Sequence, residues 1–220
     1  MPNPYFPFHD LGFRANPFRA LDDAEWADIV VLPPAALQAA ETGRHLQVIG
    51  ERGHGKTSTL LGLGAHLRRA GQTTRYEYLP EQQEAFQSAL NGIDVFLLDE
   101  AQRLNGPERA RLLRAAPAHR LILGSHEDLT QLFAAANQPL ATLRPEAGGR
   151  PHLEAVLARR LAYFALSPGS PAITLDDSAV TFLLQTYGPD LRSIQWFLYE
   201  IFQGLRERGP ISSEQLRKNY

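Results

Sequence analysis

The chain has 220 residues, 44% hydrophobic and 21% charged, with a net charge of -2 and no cysteine. This describes one globular domain, or one with a small appendage, and excludes disulfides, thiolate catalysis, zinc–thiolate sites and iron–sulfur clusters. A protein basic all over that coats nucleic acid is excluded too, and with neither a ~20-residue apolar run nor a signal-peptide start the expected location is cytoplasmic, with no membrane span.

Residues 1–20 hold five prolines and phenylalanines in the first eight positions and read as an extended arm. Helices are expected over 22–31 and 33–41, the second closed by Thr42-Gly43. Leu46, Val48 and Ile49 form a short strand running into Gly50. A helix over 57–70 follows, with Leu60, Leu63 and Leu67 on one face. Residues 73–78 suit a strand and 81–90 a helix. Ile93, Val95, Phe96, Leu97 and Leu98 form an unbroken apolar run into Asp99-Glu100, as in a central parallel strand covered on both faces. A helix over 108–116 and a strand at Leu121, Ile122 and Leu123, leading to Gly124-Ser125, complete the alternation. The expected class is α/β: a parallel sheet flanked by helices. A Gly- and Pro-containing loop near 145–150 separates this core, 21–148, from a small all-helical subdomain over 149–220.

Gly50-Glu51-Arg52-Gly53-His54-Gly55-Lys56-Thr57, followed by Ser58, matches the phosphate-loop pattern G-x-x-x-x-G-K-[ST] between a strand and a helix. In such a loop, glycines let backbone N–H groups curl around phosphate oxygens at a helix N-terminus. Lys56 would reach the β- and γ-phosphates of ATP, and Thr57 would hold Mg²⁺. Lysine is scarce here, two against 20 arginines, so its use at position 56 points to a need for an ammonium group. Asp99, at the C-terminal end of a central strand, would support Mg²⁺. Glu100 would polarise the attacking water as a general base. At the next strand exit either Ser125 or His126 would meet the γ-phosphate or the water.

The order of Gly50–Thr57, 97–100, 121–125 and then Gly188-Pro189-Asp190-Leu191-Arg192 resembles the AAA+ ATPases, whose Walker A, Walker B, sensor 1 and sensor 2 motifs occur in that sequence. The opening Leu11-Gly12-Phe13-Arg14-Ala15-Asn16-Pro17-Phe18 is similar to the lead-in of the bacterial secretion- and transposition-accessory branch. The resemblance implies a P-loop core with a C-terminal helical lid, and makes Arg192 the lid residue that reads the γ-phosphate. It also implies an arginine finger supplied between subunits. Yet the segment 127–142 contains no arginine, which leaves Arg144, Arg159 and Arg160 as the nearest and suggests slow hydrolysis until assembly or a partner intervenes.

Three other possibilities weigh against this. A GTPase would need Asn-Lys-x-Asp, which the chain lacks. A P-loop small-molecule kinase could use Arg103, Arg109, Arg111, Arg114 and Arg120 as a phosphate-gripping lid, and the same stretch could contact a DNA backbone. A nucleotide-binding scaffold would bind ATP without hydrolysing it. A protein partner and self-assembly both fit the leading expectation. On the loop pattern alone, Lys56→Ala is expected to abolish ATP binding in calorimetry while the protein stays folded; unchanged affinity would move the phosphate site elsewhere.

Overall fold

The structure, a computed structural model, describes residues 6–145, 149–167, 171–188 and 190–218. The chain divides into two compact units, one over 26–146 and one formed by 1–25 with 147–220. In chain order the elements are α1 (Asp23–Ile29), α2 (Pro34–Glu41), β1 (His45–Ile49), α3 (Lys56–Arg69), β2 (Thr74–Tyr78), β3 (Val95–Asp99), α4 (Gly106–Ala115), β4 (Arg120–Ser125), α5 (Thr130–Ala135) and β5 (Leu140–Leu143). They continue with α6 (Arg150–Phe164), β6 (Ile173–Leu175), α7 (Asp177–Tyr187), α8 (Leu191–Gly204), β7 (Gly209–Ile211) and α9 (Ser213–Arg217).

Within 26–146 a five-stranded sheet runs in the order β2-β3-β4-β1-β5, and every pairing is parallel. Strand alternation sends Phe96, Leu98, Leu121 and Leu123 into one apolar cluster, with Phe86, Leu112 and Phe133. Val95, Leu97 and Ile122 go to the other face, against Leu60 and Leu63 of α3. Both faces are therefore covered, and for that reason β3 is buried at all five positions and reads as a continuous apolar run. In register, Ile49 lies opposite Ser125 and Leu98 opposite Leu123, so the strand exits after β1, β3 and β4 share one edge of the sheet.

The helix expected over 81–90 does not form. Gln82 takes a left-handed φ of 74°, the Glu77 carboxylate accepts from the backbone N–H groups of Gln87 and Ser88, and the Glu84 carbonyl accepts from Asn105 N. Side-chain and long-range partners thus take over backbone groups that a helix would pair internally. Two elements the sequence reading left out, α5 and β5, complete this side of the sheet. They are tied in by Gln47, wholly buried on β1. Its Nε2 stands 2.8 Å from each of Asp128 Oδ1, Thr130 Oγ1 and Thr142 Oγ1, and its Oε1 accepts from Leu129 N at 2.9 Å.

The other unit is mostly helical, but β6 and β7 pair in parallel, so the C-terminal region is not wholly helical. Nor are residues 6–20 an extended arm: they form consecutive turns, with Phe13 bridged to Ala165. Buried Asn16 donates to the Tyr199 carbonyl and accepts from Phe18 N. Arg160, only 2% exposed, donates to the carbonyls of Pro17 and Arg19, and burial lowers its pKa to about 10.

The Gln47 knot makes one acid-sensitive prediction. Hydrogen bonds from Thr130 and Gln47 hold the Asp128 carboxyl down at about 2. Its contribution to stability is therefore full above the usual carboxylate range and is lost as the pH falls through about 2. Asp128→Asn should lower the urea midpoint at pH 6, and the gap to the parent should narrow by pH 3. A gap independent of pH would remove the ionised carboxylate from the knot.

Candidate active site

The loop after β1 bends back so that Gly55, at a left-handed φ of 78°, caps the start of α3. A side chain at that φ would be strained, which accounts for glycine there. Lys56, 6% exposed, turns its ammonium into the loop. It donates to the carbonyls of Gly50 at 2.9 Å and Glu51 at 3.0 Å, and lies 3.3 Å from His126 Nε2. Ser58 Oγ donates to Gly55 O. Gly50 N donates to Ser125 O at 3.4 Å, fastening the loop to the exit of β4. Arg52 points outward and reaches Glu81 at 3.9 Å with both side chains largely exposed, a pair worth little in water.

Asp99 ends β3 without solvent exposure. Thr57 Oγ1 donates to its Oδ2 at 2.5 Å, Tyr76 Oη stands 3.4 Å from the same oxygen, and Glu100 N donates to its Oδ1 at 3.0 Å. Burial raises its pKa, while the Thr57 hydroxyl opposes the rise. The carboxylate lies across Gly124 of β4, where a Cβ would collide with Asp99 Oδ1. A hydroxyl and a carboxylate in contact form a hard oxygen pair of the kind Mg²⁺ takes alongside waters and phosphates. Among the described residues no cluster of three or more His, Asp or Glu forms a separate metal site.

Glu100 follows in a left-handed conformation, φ 63°, uncommon for a residue with a side chain. This turns its carboxylate toward the neighbouring strand exit. Oε2 accepts from Gln102 Nε2 at 2.7 Å and pairs with Arg103 at 3.1 Å, and Oε1 lies 3.4 Å from His126 Nε2. At this exit the side chain that touches Lys56 and Glu100 is thus His126. Ser125 is buried, and its hydroxyl accepts from Glu127 N within the turn, which leaves its O–H as a donor. Sequence reasoning missed Gln102; only its position two residues past Glu100 was there to be noticed.

The arginine-rich stretch is mostly committed to the fold. Arg103 donates to the Leu79 carbonyl, Arg109 to the carbonyls of Leu104 and Gln102, Arg111 to the Phe86 carbonyl, and Arg120 to those of Ala39, Ala40 and Arg44. Four of the five guanidinium groups thus already have carbonyl partners, which weakens both the kinase-lid and the DNA-backbone readings of this stretch. Arg192 lies in the other unit, exposed at the start of α8, where Asp190 accepts from its backbone N–H. Arg160 is buried on backbone carbonyls, which removes it as a finger offered to a neighbour.

The fold is that of the P-loop NTPases. RuvB from Thermotoga maritima superposes with a TM-score of 0.58 at 15% identity, over 84% of this chain and 65% of that one. DnaA from Aquifex aeolicus, solved bound to AMPPCP, gives 0.53 at 18% identity, over 76% and 59%. NtrX from Brucella abortus, solved with ATP, gives 0.55 at 15% identity, over 84% and 56%. These neighbours are AAA+ P-loop ATPases, and this chain spans less than two thirds of the length of each. No protein-family model and no curated protein matches the sequence.

The close approach at Gly124 gives a test of the buried carboxylate. Gly124→Ala should displace Asp99, cost about 1–3 kcal/mol of stability as an overpacked core site, and weaken Mg²⁺-dependent nucleotide binding more than Mg²⁺-free binding. A melting temperature and a Mg²⁺ dependence both equal to the parent's would show that Asp99 has room to spare.

Proposed function

We propose that the chain binds ATP with Mg²⁺ and hydrolyses it slowly as a cytoplasmic AAA+-type switch or assembly ATPase acting on a protein partner or a DNA complex. The observation that carries this is the convergence of Lys56, Thr57, Asp99, Glu100 and His126 at one edge of a parallel sheet, the place where open α/β sheets hold ligands. The nucleotide-bound neighbours support the same ligand class. No helix among the described residues is long and apolar enough to cross a membrane.

In this proposal the backbone N–H groups between Gly53 and Thr57 surround the phosphates, and Lys56 exchanges the Gly50 and Glu51 carbonyls for β- and γ-phosphate oxygens. Thr57 and Asp99 would hold Mg²⁺, which when bound offsets the charge of the phosphates. Glu100 Oε1 takes a proton from the attacking water as its oxygen bonds to the γ-phosphorus. The bond from that phosphorus to the bridging oxygen breaks, and ADP leaves with the electron pair. His126, beside both Lys56 and Glu100, would donate to a γ-phosphate oxygen. The part of Arg192 rests on its motif alone.

Slow turnover follows from a shortage of cations. The γ-phosphoryl group spreads negative charge in its transition state, and an added arginine is worth ~10³–10⁵ in rate in related NTPases. With 127–142 free of arginine and Arg160 buried, the exposed Arg144 and Arg159 or a partner's residue would have to supply it.

Glu100→Gln tests the reaction. The amide keeps the shape and loses the base, so ATP should bind with parental affinity while phosphate release falls at least tenfold. Equal phosphate release by both proteins would take Glu100 out of the mechanism, and a phosphorylated small molecule appearing with ADP would make the protein a kinase.

A further inference from the structure

Two side chains of the candidate reaction, Glu100 and His126, come from different strand exits, and nothing in the main-chain ladder fixes the distance between them. Parallel pairing of β3 with β4 extends from Val95–Arg120 to Leu98–Leu123, short of both residues. Beyond that point the two exits are joined by a side chain. Gln102, in the 3₁₀ turn Ala101–Arg103, donates from Nε2 to Glu100 Oε2 at 2.7 Å, and its Oε1 accepts from the backbone N–H of His126 at 3.3 Å. A carboxylate accepts and a backbone N–H donates, so these two partners together fix which way round the amide sits. The backbone of Gln102 is itself held: its carbonyl accepts from Arg109 at 2.7 Å.

The division of labour on the carboxylate is equally definite. Oε2 is occupied by Gln102 and Arg103, while Oε1 faces His126 at the longer distance of 3.4 Å. Fixing one oxygen leaves the other facing His126, which itself lies 3.3 Å from the Lys56 ammonium, where the γ-phosphate and its water would lie.

We infer that Gln102 is a positioning residue for hydrolysis: it clamps Glu100 Oε2 to the His126 main chain and so sets the base and the γ-phosphate contact at a fixed separation. This rests on the proposed ATPase reaction and adds to it a residue that touches neither nucleotide nor water. A glutamate at 102 would keep the length of the side chain but place a second carboxylate against Glu100. A leucine would remove both bonds in a half-buried setting where the fold tolerates an apolar group. An asparagine would keep the amide and fall one methylene short of spanning the gap.

The experiment compares Gln102→Leu, Gln102→Glu and Gln102→Asn with the parent and with Glu100→Gln, in the full chain. Affinity for a non-hydrolysable ATP analogue should stay within about threefold in all, because Lys56 and the phosphate loop are untouched. Turnover should fall at least tenfold in each Gln102 variant with KM little changed, and Gln102→Leu added to Glu100→Gln should cost no more than twofold further, since both changes disable one base. The tightness of ADP with aluminium fluoride and Mg²⁺, relative to the ATP analogue, should fall in parallel, a readout that holds even at very slow turnover. Parental turnover and parental fluoride-complex affinity in Gln102→Leu, with Glu100→Gln inactive, would overturn the clamp and leave the ATPase reading standing. Parental turnover in Glu100→Gln would overturn both. Loss of analogue binding in the Gln102 variants would make the residue structural to the loop and overturn the positioning role.

Discussion

A carboxylate with no solvent exposure, Asp99, closes the central strand β3, and much of the site is arranged around it. Burying such a group is costly unless hydrogen bonds replace the lost water. The replacements here come from Thr57 Oγ1, Glu100 N and, at longer range, Tyr76. Each brings its own element to the strand exit: α3, the turn after β3, and β2. Gly124 on the neighbouring strand leaves the space in which the carboxylate lies. One buried group therefore links the phosphate loop to the end of the sheet, and the same hydroxyl–carboxylate contact is where the proposed function would put Mg²⁺.

Around it runs a second polar chain, from Lys56 through His126 to Glu100 and on to Gln102 and Arg103. His126 Nε2 faces an ammonium at 3.3 Å and a carboxylate oxygen at 3.4 Å. A single ring nitrogen either accepts from the first or donates to the second, never both. In the proposed reaction a phosphate that draws Lys56 away would change what His126 does for Glu100, so phosphate contact and base would be coupled through one imidazole. On the far side, Gln47 pins the continuation of the same loop to β1 through Leu129, Asp128 and Thr130. The loop that bears His126 is thus held at both ends, by Gln102 near its start and Gln47 near its end.

The parallel sheet was legible in the sequence because both of its faces are covered: Val95 to Leu98 and Leu121 to Leu123 could be apolar without interruption. The phosphate loop was legible because backbone chemistry confines its glycines and its lysine to fixed spacings. Ambiguity began where side chains choose among partners. Ser125 and His126 read alike in the sequence, and only the fold shows that His126 contacts Lys56 and Glu100 while the Ser125 hydroxyl accepts from Glu127 N. The segment 81–90 carries a helical composition, yet Glu77 and Asn105, one before it and one well after it, take its backbone groups. Strand β5 has four residues and its polar Thr142 bonds inward to Gln47, a pairing no local pattern announces. Gln102 was invisible for the same reason, since its importance lies in two bonds to residues at different strand exits.

The central claim is that Lys56, now bonded to its own loop, exchanges those carbonyls for phosphate oxygens. A crystal structure of the protein with Mg²⁺ and a non-hydrolysable ATP analogue tests it most directly. The account predicts Lys56 Nζ off the Gly50 and Glu51 carbonyls and on the β- and γ-phosphates, with the metal at Thr57 and in reach of Asp99. A nucleotide bound elsewhere, with Lys56 still on the two carbonyls and the Thr57–Asp99 contact unchanged, would contradict it.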